Sequence, residues 1–155
     1  MGTNMDTVHN YEVNLEWNSD RKGELSSPVL NQTIEVATPP EFPKGMEGIW
    51  SPEHLFVASV CSCLMTTFLA IADFSKFEYL HLNIEAIGKL EKIDGKFMIS
   101  EINLKPTLTI NNEVQTAKAE RILHKSEAAC LISNSITSKV IMNPTVVIQE
   151  EVLIG

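Results

Sequence analysis

The most reactive side chains of this 155-residue chain are three thiols, Cys61, Cys63 and Cys130. A thiolate is a nucleophile, a soft metal ligand and a partner for disulfide chemistry, whereas a neutral buried thiol is a small hydrophobe. Cys61 and Cys63 are two residues apart in a stretch of helical character. At about 100° per residue they point about 200° apart and cannot both serve one small site. An odd number of cysteines argues against a structural disulfide framework. The spacings match no common zinc pattern, and His54 with Cys61, at i and i+7, is the one metal-like pair on a shared face. From their settings alone the cysteines also read as core packing. No GxxxxGK[ST] loop, GxGxxG turn, HExxH pair, GxSxG elbow or CxxC is present, so nucleotide, dinucleotide, zinc-protease, serine-hydrolase and thioredoxin chemistries lose their usual support.

The stretch holding two of the thiols is SPEHLFVASVCSCLMTTFLAIADF, Ser51 to Phe74, with no charged side chain between His54 and Asp73. Ser51 as N-cap, Pro52 at the first helical position and Glu53 in the first turn agree on where this helix starts. Lys76 suits its C-terminal end. A helix without a polar face has to be enclosed by something. Leu55 to Ala72 reaches the lower edge of a bilayer-spanning length, about 18 residues. Ser59, Ser62, Thr66 and Thr67 dilute it, and its neighbours read as half-buried strands, so a core helix is expected rather than a membrane span.

Those neighbours are strands by alternation. Tyr11, Val13, Leu15 and Trp17 alternate with polar residues; NSDRKG (Asn18 to Gly23) is turn chemistry that puts Arg21 at a loop tip. Leu25 to Leu30, interrupted by Pro28, and Thr33 to Thr38, with Ile34 and Val36 facing in, give further strands. Pro39 to Trp50 is a loop. Tyr79 to Ile93 and Lys96 to Ile110 alternate around Asp94-Gly95, a hairpin signal. A strict two-residue turn pairs even positions with odd and splits the apolar faces, so a longer loop or a bulge at Gly88 is predicted. Asn112 caps a second, amphipathic helix from Glu113 to about Cys130. A short irregular piece, 131 to 139, leads to a last strand, Thr145 to Leu153. The order predicts a single α+β domain over residues 1–155, with residues 1–7 frayed and a largely antiparallel sheet against the central helix.

Composition sets the outer bounds. A hydrophobic fraction of 44% and a charged fraction of 21% suit a globular protein. The formal charge of -8, from 12 Lys+Arg against 20 Asp+Glu, repels phosphate and anionic lipid, so neither nucleic acid nor a membrane is an expected partner. The start of the sequence lacks the basic and apolar regions of a secretory signal, and no lipidation pattern is seen; a cytoplasmic location is expected.

Three segments together resemble the OsmC/Ohr family of organic hydroperoxide reductases. Ser51-Pro52-Glu53-His54-Leu55-Phe56 followed by Cys63 resembles the family's "NPE-L" helix start and peroxidatic cysteine. Ala129-Cys130-Leu131-Ile132-Ser133-Asn134-Ser135 resembles the "CPxS-A" segment around its resolving cysteine, with Leu131 in place of proline. Arg21, in a turn ahead of a strand ending in Thr38-Pro39, resembles its catalytic arginine. The resemblance covers Tyr11 to Ile148. Cys61 is an extra thiol, which with Leu131 marks a divergent member.

The resemblance implies an OsmC-like fold, a sheet wrapped around a buried central helix, in an intertwined homodimer with its sites at the subunit interface. It implies a peroxidase for organic hydroperoxides in which Cys63 is oxidised to a sulfenic acid and resolved by Cys130, and an external dithiol reduces the disulfide. No cofactor and no metal are implied. Arg21 would stabilise thiolate and peroxide, and Glu53 would orient Arg21. Glu53 and Cys63 are ten residues apart, about 15 Å along a straight helix, so a two-fold partner that brings one chain's Glu53 towards the other's Cys63 is expected. Cys61 is assigned to the core, and His54 and His124 to the surface or to packing. The competing reading is an OsmC-like binding or structural dimer whose cysteines are unproductive.

Overall fold

The structure, a computed structural model, describes residues 7–150. Residues 1–6 of the expected frayed end and the stretch 151–153 of the expected last strand lie outside the described residues. The chain divides into two compact units, residues 7–52 and 53–150.

In the first unit β1 (Asn14–Ser19), β2 (Lys22–Ser26) and β3 (Ile34–Ala37) form an antiparallel sheet in that order. Ser19 pairs with Lys22, so Asp20 and Arg21 are the two turn residues, and Asp20 has φ 49°. The Trp17 indole N–H donates to the Asp20 carbonyl at 3.0 Å and pins the turn from the strand side. The loop after β3 is tied back through Ala37 N to Trp50 O (2.8 Å) and Met46 N to Thr38 O (2.9 Å). The alternating residues Tyr11, Val13, Leu15 and Trp17 are all exposed, and so is Ile34, contrary to the inward face expected for it. Alternation gives a strand its two faces, but whether either is covered depends on what is laid against it.

The second unit holds α1 (Pro52–Phe74, which begins one residue earlier), β4 (His81–Ile93), β5 (Lys96–Ile110), α2 (Thr116–Ala128), β6 (Lys139–Met142) and β7 (Thr145–Ile148). The predicted start of α1 is observed. At its other end Lys76 adopts φ 53°; Lys76 N reaches Asp73 O (3.1 Å) and Phe77 N reaches Ala72 O (2.8 Å). This is a Schellman stop, and the buried Phe77 supplies the apolar contact that goes with it. The expected second helix is split: a 3-10 turn at Glu113–Gln115, capped by the Asn112 side chain on Val114 N (3.0 Å), precedes α2.

β5 is the central strand, antiparallel to β4 on one side and parallel to β6 and β7 on the other. The parity problem of the hairpin is solved by a bulge alone, and the turn is not lengthened. Asp94 and Gly95, at φ 50° and 79°, make the tight turn that pairs Ile93 with Lys96. A bulge then shifts the register between Lys89 and Leu90, which pair with Glu101 and Ile99 and leave Ser100 extra. Beyond it Ala86, Ile84 and Leu82 oppose Leu104, Pro106 and Leu108 on one face. Pro106 sits mid-strand without breaking the sheet because the parallel neighbour is itself interrupted there: β6 ends opposite Leu104 and β7 begins opposite Thr107.

The core lies between α1, α2 and this sheet. Val60 and Leu64 pack on Ile102 and Leu104, while Phe68 and Ala72 pack with Leu108, Ile110, Ile122 and Leu123. These four α1 positions recur every fourth residue, one stripe of the helix. By length and composition α1 could cross a membrane. In this fold its buried stripe is embedded in the core, whereas Met65, Leu69 and Phe74 on its other side are exposed.

Gly88 is not at the bulge but beside it, and its reason is the helix. A Cβ at this position would meet the Val57 Cγ2 at 2.4 Å. Gly88→Ala is therefore expected to destabilise the protein by about 1–3 kcal/mol through overpacking against a branched side chain, read as a lowered midpoint of chemical unfolding. Unchanged stability would mean that α1 does not approach β4 this closely.

Candidate active site

Cys63 is aimed by the stripe that anchors α1. With Val60 and Leu64 fixed on β5, the residue just before Leu64 is turned about 100° away from it. The polar residues of this helix are satisfied locally: Ser59 Oγ donates to Phe56 O (2.6 Å), Ser62 Oγ to Ser59 O (3.2 Å) and Thr66 Oγ1 to Cys63 O (3.1 Å). Thr67, one turn beyond Cys63, has its hydroxyl 3.8 Å from the Cys63 sulfur. Cys61 lies on another side, with its Sγ 3.9 Å from the Ile84 carbonyl of β4.

Cys130 lies two residues past the end of α2, its N–H donating to Glu127 O (3.1 Å). The turn after it is held by its own residues. Cys130 O accepts from Asn134 N (3.1 Å), Leu131 O from Ser135 Oγ (2.7 Å) and Ala128 O from Asn134 Nδ2 (3.3 Å). Cys63 and Cys130 are both buried and outside any disulfide, and each shifts the acidity of the other.

The two thiols are driven apart in acidity. Burial opposes a charge on Cys63, but the neighbouring Cys130 thiol, Ile132 amide, Thr67 hydroxyl and Leu131 amide favour it. Together they hold it below the ordinary thiol value. Cys130 is pushed up by burial and by the neighbouring Cys63, against the weaker help of the Ser133 hydroxyl and amide. Cys61 is pushed up by burial. The fold thus gives the two neighbouring thiols opposite shifts, Cys63 down and Cys130 up.

The other sequence-derived site residues are placed as follows. Arg21 is exposed at the tip of the β1–β2 turn in the first unit, where its carbonyl accepts from Thr38 N (3.3 Å). Glu53 opens the second unit in the first turn of α1, and its Oε2 is buried without a hydrogen-bond partner. Ten helical residues separate it from Cys63, so within one chain α1 does not bring the two together. His54 and His124 are exposed. Among the described residues no cluster of three His, Cys, Asp or Glu could hold a metal.

Sequence reasoning missed Thr67, Leu131, Ile132 and Ser133. Thr67 was within reach, as the i+4 neighbour of Cys63 on a helix. The amides leave no side-chain signal. The groups that lower the Cys63 value are neutral ones, Cys130, Ile132, Thr67 and Leu131, rather than a cation.

Residues 45–144 match the family described as OsmC-like protein, a span that includes Glu53, Cys63 and Cys130. The chain belongs to the OsmC-like family. The uncharacterized protein YmaD of Bacillus subtilis is 22% identical over 135 residues, covering 85% of this chain and 89% of that protein. An OsmC-like protein of unknown function from Vibrio cholerae has the same fold at a TM-score of 0.79, with 21% identity over 88% of this chain and 99% of that one. So does an organic hydroperoxide resistance protein from Elizabethkingia anophelis, at a TM-score of 0.74 and 20% identity, covering 94% of this chain and all 100% of that one. At these identities the likeness is one of fold.

The acidity order of this OsmC-like protein has a direct readout. Thiolate absorbance near 240 nm is expected to rise by one thiol at a pH below the ordinary cysteine value of about 8.5, and this step should vanish in Cys63→Ser. Because the folded Cys63 is the more acidic, its thiolate contributes stability above the unfolded value, and that contribution is lost as pH falls through the folded one. Three thiols titrating together at or above the ordinary value would contradict the geometry.

Proposed function

We propose that this OsmC-like protein is a thiol-dependent peroxidase that reduces organic hydroperoxides to alcohols. The observation that carries the reading is the buried, reduced Cys63–Cys130 pair, with Cys63 held towards thiolate and Cys130 towards thiol. Family membership adds support, since solved relatives include proteins named for organic hydroperoxide resistance.

The Cys63 thiolate attacks the hydroxyl oxygen of ROOH; the O–O bond breaks, and the departing alkoxide takes a proton to become ROH. Cys63 is oxidised to a sulfenic acid. The Cys130 sulfur then attacks the Cys63 sulfur, and the sulfenic hydroxyl leaves with the Cys130 proton as water, forming the disulfide. A small or protein-bound dithiol reduces it by exchange and returns both thiols.

Alkoxide is a poor leaving group, and a permanent cation beside it lowers the barrier; Arg21 is the residue assigned to this role. Glu53 is assigned to orient it. Its buried carboxylate oxygen has no hydrogen-bond partner, and a guanidinium is a group that would satisfy it. The functional unit in this reading is a homodimer. Met65, Leu69 and Phe74 on α1, and Tyr11, Val13, Leu15 and Trp17 of the first unit, are exposed in the single chain, as surfaces covered by a second copy would be.

One equivalent of cumene hydroperoxide is expected to link Cys63 to Cys130, detected as a disulfide-joined peptide pair by mass spectrometry. Cys63→Ser should abolish hydroperoxide consumption in the presence of dithiothreitol, and Arg21→Ala should lower its rate by about 10²-fold or more. Unchanged thiols in folded protein would leave the family's fold without this chemistry, as a binding or structural dimer. Light scattering at micromolar concentration should give twice the mass of the chain, and a monomer would remove the shared site.

A further inference from the structure

We propose that the groove between the end of α1 and the outer face of α2 binds an organic anion, a carboxylate head carried on an apolar chain. The groove lies wholly within the second unit, has a volume of about 720 Å³ and is lined by none of the three cysteines, so the proposal stands apart from the peroxidase reading. Its size is that of a small-molecule site, about 300–1,000 Å³.

The charge pattern of α2 carries the inference. Lys118, Arg121 and Lys125 are all the Lys and Arg of this helix, and all three line the groove. At about 100° per residue they fall within a sector of about 60°. Arg121 stands three residues from Lys118 and four from Lys125, spacings at which like charges destabilise a helix and a carboxylate would support it. No Asp or Glu stands three or four residues from any of the three. Among the described residues the ion pairs are Lys22–Glu35 and Lys89–Glu91, and neither is here. Glu120 also lines the groove, but it is turned about 100° from Arg121 and about 200° from Lys118, at the far edge. In a chain of formal charge -8, three cations gathered on one face without an ion pair form a local site for an anion that the protein as a whole repels.

Beside the cations the walls are apolar. Ile71 of α1 lines the groove with Ala117 and Ile122 of α2; Ile122 is buried and Ile71 half-buried. Lys118 is held in place: its ammonium lies 5.9 Å from the centre of the Phe77 ring, which belongs to the stop that ends α1. One cation of the site is thus positioned by the packing of the two helices against each other. An inorganic anion would leave the apolar walls to water, and a neutral chain would leave the cations unanswered. The combination selects a ligand with both parts, its charge on Arg121 and Lys125 beside the fixed Lys118 and its chain against Ile71 and Ile122.

The test titrates the isotope-labelled protein with sodium decanoate at neutral pH, followed by amide chemical shifts, with decanol and inorganic phosphate as probes of either half of the ligand alone. Saturating shifts confined to residues 71–75 and 117–125 are expected for decanoate, and weaker binding for each of the other two. Arg121→Ala, which puts a good helix former at an exposed position, should raise the decanoate Kd about tenfold or more. Added salt should weaken decanoate in the wild type and leave decanol unchanged. Equal decanoate affinity in wild type and Arg121→Ala, decanol or phosphate binding as tightly as decanoate, or shifts centred on another surface would each overturn the inference. If circular dichroism shows Arg121→Ala unfolded, Lys125→Gln replaces it with the same two outcomes. None of the probes is a hydroperoxide, so the result is the same whether or not the protein consumes hydroperoxide, and failure here leaves the peroxidase reading standing.

Discussion

The packing of one stripe of α1 on β5 is the constraint from which the rest follows. Val60, Leu64, Phe68 and Ala72 recur every four residues and are buried against Ile102, Leu104, Leu108 and Ile110, and burying four such side chains is worth several kcal/mol. Once the stripe is fixed the rotation of the helix is fixed, and with it the directions of both thiols. Cys61 is sent to the β4 carbonyl of Ile84, and Cys63 to the turn after α2. A rotation of about 200°, two residues, would exchange them. Gly88 belongs to the same constraint, since only a missing side chain lets Val57 come so close to the sheet.

The active-site chemistry then arises from a conflict between burial and hydrogen bonding. A thiol placed in a core should be inert, because desolvation disfavours its charge. Around Cys63 that cost is outweighed by a thiol, a hydroxyl and two amides; around Cys130 it is not, and the proximity of Cys63 adds to it. Two identical side chains are thereby given different acidities.

The sheet shows how local and non-local requirements are reconciled. Asp94-Gly95 demands a tight turn, while the apolar faces of β4 and β5 demand pairing of like parity, and the two are incompatible over an unbroken ladder. Ser100, as one extra residue, resolves them. Pro106 is tolerated in a central strand for a related reason, because the gap between β6 and β7 falls opposite it.

Much of this was legible in the residues. Ser51, Pro52 and Glu53 announce the helix start, period-two patterns announce β4 and β5, and the shortage of charge along α1 announces that it must be covered. Each is a property of neighbours in sequence, and backbone geometry alone converts it into structure. The exposure of Tyr11, Leu15, Trp17 and Ile34, the split before α2, the parallel strands β6 and β7 and the bulge at Ser100 were not legible, because each depends on what lies across the fold. The site divides in the same way. The sequence determined which thiols exist and that Cys61 and Cys63 must face apart. That Cys63 and Cys130, 67 positions apart (130 less 63), come close enough to shift each other's acidity was decided by tertiary structure. The amides that favour the Cys63 charge have no letter in the sequence, and only the fold makes them its neighbours.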